Sequence, residues 1–114
     1  MNKMTNKTFL KIITEFIKTK KIQLDSNVII KDIAGERKVE FCYKDSDGDT
    51  VLKGLLNPTD PFAMTVDQLM VNIASTDNII FANGKTEADG GIIEDSFMID
   101  DVYTISNVLY IEHV

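Results

Sequence analysis

Apolar residues recur at Phe9, Leu10, Ile12, Ile13, Phe16 and Ile17, the i, i+3, i+4, i+7 stripe of an amphipathic helix. Thr5 is placed to cap its start, and Met4 and Phe9 fall at the two positions of a hydrophobic staple. Lys18, Lys20 and Lys21 crowd the far end, where cations suit the helix dipole. Three runs with strand character follow, Val28 to Ile33, Lys38 to Lys44 and Thr50 to Leu56. Ala34-Gly35-Glu36 and Asp45 to Asp49 separate them, both short enough for hairpins, so they read as a three-stranded antiparallel meander. In the middle run Val39, Phe41 and Tyr43 alternate with Glu40, Cys42 and Lys44, which predicts one packed face and one mixed face.

Asn57-Pro58-Thr59-Asp60-Pro61 interrupts the pattern, because two prolines do not fit a central strand. Thr65 with Gln68 three residues on is a capping box, and it opens a second helix bearing Val66, Leu69, Met70 and Ile73 and ending near Ser75. Ile79 to Ala82 reads as a short buried strand. Asn83 to Gly91, with its glycines and acids, reads as a mobile loop. From Ile92 to Val114 the chain is β-rich, with two or three strands and breaks expected at Asp100-Asp101 and Ser106-Asn107. The expected fold is therefore α+β: one domain over residues 1–114, in two layers, with two helices on an antiparallel sheet of five or six strands. The order is α-β-β-β-α-β-β, with a further strand allowed at the end. No internal repeat is legible.

Length agrees with one domain. A chain of 114 residues buries about two-thirds of its unfolded surface, enough for one core. No apolar run is long enough for a secretory signal or a membrane span, and the single Cys42 provides no disulfide, so a cytoplasmic location is expected.

Candidate chemistries fail for stated reasons. Asp45, Asp47 and Asp49 could converge on a hard cation, but an EF-hand begun at Asp45 needs Gly at the sixth position and Glu at the twelfth. Thr50 and Leu56 stand there, and a hairpin turn accounts for the acids and Gly48. Asp47-Gly48-Asp49-Thr50-Val51 matches the short motif of phosphatases with an Asp nucleophile, yet that chemistry needs the end of a parallel strand and further converging groups. Gly84-Lys85-Thr86 looks like the tail of a phosphate-binding loop, but the glycine required at position 79 is Ile79. Cys42 sits in a strand and His113, the one histidine, lies beside the carboxyl end, so a nucleophile–base pair has no support. Cysteine and histidine spacings for zinc are missing. The expectation is a protein that is not an enzyme and carries neither cofactor nor metal.

Charge is the feature that stands out. The net charge of −6 averages two unlike parts. Residues 1–53 carry 11 bases and 8 acids, net +3, whereas residues 54–114 carry 1 base and 10 acids, net −9. The candidate contact residues are Glu87, Asp89, Glu94, Asp95, Asp100 and Asp101, poised for a protein with a basic, nucleic-acid-binding surface. The role this suggests is a small bacterial or phage-encoded inhibitor or accessory factor. Self-association is the alternative, with the Lys-rich first helix of one copy meeting the acidic half of another. In element order alone, α-β-β-β-α over residues 5–75 resembles the double-stranded-RNA-binding domain. That resemblance implies a basic start to the second helix to hold phosphates. Asp60 and Asp67 stand there, and no Lys or Arg lies between Lys53 and Lys85, so direct nucleic-acid binding is not expected.

Overall fold

The computed structural model describes residues 4–32, 35–54, 63–88 and 91–112. Helix α1 spans Asn6–Lys18 and begins as its sequence dictates. Thr5 is extended, and its hydroxyl accepts from the Thr8 amide at 3.2 Å. Met4 packs on the core beside which Phe9 is fully buried. The helix stops in a paired-carbonyl cap: Lys20 NH donates to Ile17 O at 3.1 Å and Lys21 NH to Phe16 O at 2.9 Å. Helix α2 is Val66–Asn72, shorter than expected at its end, and Gln68 Oε1 accepts from the Thr65 amide at 3.0 Å.

The strands are β1 (Val28–Asp32), β2 (Gly35–Lys44), β3 (Thr50–Gly54), β4 (Ile80–Ala88), β5 (Gly91–Met98), β6 (Asp101–Ile105) and β7 (Val108–Glu112). The β1-β2-β3 meander is antiparallel, as the turn signals predict. The rest of the sheet differs from expectation. It has seven strands in the order β5-β4-β3-β2-β1-β7-β6 and is mixed, with β3 parallel to β4 and β1 parallel to β7. The β3–β4 pair is parallel because α2 carries the chain back between them. The β1–β7 pair joins the two ends of the chain, a contact no local pattern encodes.

Nor is the sheet one flat layer of two. A flat seven-stranded sheet would hold β5 and β6 about 29 Å apart at 4.8 Å per strand. Ile99 and Asp100 alone connect these edge strands, and such a link spans at most about 11 Å. The sheet is therefore curled until its two ends meet. Inside the curl lie Val28, Ile30, Val39, Leu52, Ile80 and Ile99, packed with Phe9 and Ile13 of α1 and Val66 and Leu69 of α2. No helix among the described residues is long and apolar enough to cross a membrane.

Two local expectations are corrected. Within the expected loop Asn83–Gly91, the described residues are strand: β4 runs through Ala88 and Gly91 opens β5, pairing Glu87 with Ile92 and Thr86 with Ile93, while 89–90 lie outside the described residues. A hairpin partner supplies the backbone hydrogen bonds that this polar stretch could not supply for itself. In β2, Val39 faces Gly54 but Phe41 faces Lys53, so Glu40 is an extra residue. Beyond this bulge the faces exchange. Val39 is wholly buried, but it is Cys42 that packs against the core and Tyr43 that is exposed.

Candidate functional site

The acidic candidates are dispersed along the curled edge. Glu87 lies in β4, while Glu94 and Asp95 lie in β5 in register with Lys85 and Gly84. Asp100 occupies the short link and Asp101 opens β6 opposite Glu112. Asp89 falls outside the described residues, as do His113 and the Asn57–Pro61 stretch. What the fold does bring together is the run from β5 into β6, where the two ends of the sheet meet.

Asp100 and Asp101 are exposed there. Asp101 also acts locally, because its Oδ1 accepts from the Val102 amide at 2.9 Å. Ile105 and Val108 flank the two-residue Ser106-Asn107 turn, both of whose residues have positive φ, the hairpin type that twists with its strands. In that geometry the flanking pair exchanges hydrogen bonds with β7, and the Val102 amide points to the free edge. Its own neighbour's carboxylate closes it, which guards an otherwise open strand.

On the same hairpin Tyr103 and Tyr110 face each other with ring centroids 5.3 Å apart and planes 5° from parallel. Tyr103 OH donates to Glu112 Oε2 at 2.8 Å. Desolvation, followed by the hydrogen bond and charge of Glu112, pushes the Tyr103 phenol up to about 12. Composition offered no sign of this pairing, but period-two spacing around Ser106-Asn107 could have placed both tyrosines on one face.

The carboxylates of Asp45, Asp47 and Asp49 lie within 4.8 Å of one another. They build the turn. Asp45 Oδ1 accepts from the Asp47 amide at 2.9 Å and the Asp49 amide at 3.0 Å, and Gly48 supplies φ +81°. Asp49 Oδ1 takes the Ile79 amide at 3.1 Å, and Asn78 Nδ2 donates to Gly48 O, tying the turn to the start of β4. Gly84-Lys85-Thr86 sits inside β4 rather than in a loop leading to a helix, so it lacks the phosphate-cradling geometry.

One buried feature was not expected from sequence. Asn6 is wholly buried; its Nδ2 donates to Thr50 Oγ1 at 2.6 Å and Thr76 Oγ1 at 3.4 Å, while Oδ1 has no partner. Cys42 lies against α2, its Sγ 3.9 Å from Asn72 O, and burial pushes its thiol pKa up. A thiol held protonated is a weak nucleophile. Comparison with known protein families, curated proteins and solved structures found no match.

Proposed function

We propose that this chain is a non-enzymatic binding protein of the cytoplasm, an inhibitor or accessory factor of bacterial or phage origin. On this reading its acidic second half engages a basic, nucleic-acid-binding surface on a protein partner. The observation that carries the reading is the concentration of 10 acids against 1 base in residues 54–114, with Asp100 and Asp101 exposed where the sheet ends meet. A one-signed surface raises the encounter rate with an opposite one and disfavours like-charged competitors. The test replaces Glu94, Asp95, Asp100 and Asp101 by Gln or Asn; Asp101→Asn keeps a side-chain oxygen for the Val102 amide. Capture of a basic protein from bacterial lysate should be strong at low salt and lost in this variant at unchanged melting temperature. Capture that survives the substitution rules the acidic surface out.

Self-association is a second proposal, favoured by Lys7, Lys11, Lys18, Lys20 and Lys21, all exposed along and just beyond α1. It would give head-to-tail assemblies that dissociate as salt screens exposed charge. Light scattering at low and high ionic strength separates the two: a monomer at both removes self-assembly.

A further inference from the structure

We infer that the chain is one α-β-β-β unit used twice, its two copies related by an approximate two-fold and diverged into a basic and an acidic half. The first copy is α1, β1, β2 and β3. The second is α2, β4, the bent pair β5-β6, and β7. In each, a long bent strand pairs by its first part with the strand before it and by its second part with the strand after it. In β2 the change of partner comes at the Glu40 bulge, and in the second copy at Ile99-Asp100.

The contacts between copies are reciprocal. Thr5, capping α1, bridges Ile79 just before β4; Thr65, capping α2, bridges Asn27 just before β1. Asn6 NH donates to Asn78 O at 2.8 Å, and its counterpart Val66 NH donates to Ser26 O at 3.0 Å. Lys7 NH to Thr76 O, 2.9 Å, is matched by Asp67 NH to Leu24 O, 2.8 Å. Thr50 NH to Ile79 O, 2.9 Å, is matched by Leu109 NH to Asn27 O, 3.0 Å. Strand register obeys the same exchange. Thr50 faces Ile80 across one parallel pair and Leu109 faces Val28 across the other. Tyr43–Val51 and Cys42–Leu52 become Tyr103–Tyr110 and Val102–Ile111. A mixed sheet assembled without a repeat has no reason to return each of these interactions in duplicate.

Exchange of the copies then identifies what has diverged. The buried polar pair Asn6–Thr50 corresponds to Val66 and Leu109, both wholly buried. Exposed Lys7 corresponds to exposed Asp67, and Lys53 to Glu112. Two surfaces of one backbone shape thus carry opposite charge, and a basic partner finds one acceptable face of two. The duplication itself stands independently of that partner.

Two experiments test it. In the parent, ten residues separate Lys53 from Met64, whereas three residues of this 114-residue chain precede Met4 and two follow Glu112. A circular permutant of this 114-residue chain, opened among residues 57–60 and with residue 114 joined to residue 1 through five added residues, should therefore give the second connection the length of the first. It should show native circular dichroism and one cooperative urea transition. Independently, Asn6→Val with Thr50→Leu installs the second copy's interior in the first. Its urea midpoint should equal or exceed the parent's, because an unpartnered carbonyl is removed together with its neighbour. A permutant with no cooperative transition, or a double variant with a lower midpoint than the parent, overturns the inference.

Discussion

At the scale of single residues, the structure holds backbone strain at Lys20, where φ is +60°. This is the left-handed position that ends α1, between the Thr19 cap and the Lys21 amide that returns to Phe16 O. A side chain there costs about 1 kcal/mol more than glycine. Part of that is offset because glycine loses more entropy on folding. Lys20→Gly should raise stability by about 0.5 kcal/mol in urea unfolding, and a loss instead would show that the lysine makes a contact stronger than the strain. Tyr103 gives a second residue-level outcome. Its phenol is raised from 10.0 to about 12, so the folded state prefers the protonated form. The associated stability is complete below pH 10 and falls as pH rises through about 12. Tyr103→Phe should flatten the decline between those limits. Absorbance titration of the phenolates, with thermal melts at each pH, checks the sign; equal slopes for both proteins would discard the assignment.

At the scale of elements, helix starts were legible because their chemistry is local. Thr5 with its staple, and Thr65 with Gln68, need no distant partner to stop the chain from continuing extended. The turns were legible for the same reason, since Asp45 folds back on amides two and four residues away. What escaped was register. The alternation through Val39, Phe41 and Tyr43 is regular in sequence, and the bulge that breaks it exists because β2 leaves β1 for β3. Deleting Glu40 would set Val39 and Cys42 two residues apart in a regular strand, so both would keep the core-facing side they have now. The strand would lose only the local bend and twist that the bulge supplies where it changes partner, so the deletion should keep one cooperative urea transition and near-ultraviolet circular dichroism, at a lower midpoint than the parent's. A deletion variant with the parent's urea midpoint would show that the bulge is incidental. Asn83 to Ala88 escaped for a related reason: its residues are poor strand formers alone, and β5 recruits them.

At the scale of the whole molecule, the candidate site was legible as charge and not as geometry. Counting acids needs only composition, whereas their grouping depends on the curl that brings β5 to β6. The same curl sets a graded stability. Strands β1, β3, β4 and β7 each have a hydrogen-bonded neighbour on both sides, while β2 and β5-β6 have one at any point along their length. Opening a strand held on one side breaks half the backbone bonds, and edge segments open at lower free energy than the global transition. Hydrogen exchange should therefore divide the sheet by strand. Amides of Ile30, Leu52, Ile80 and Leu109 should exchange only through global unfolding, with a denaturant slope matching equilibrium unfolding. Thr104, which faces the free edge of β6, should exchange through a local opening nearly independent of urea. Val102, on the same edge, should be slower than Thr104, because Asp101 Oδ1 holds its amide. Asp101→Ala should make the two alike while leaving Leu109 unchanged. Uniform protection across all seven strands would mean that β5 and β6 are covered on their outer side, and would remove the free acidic edge from consideration as a contact surface.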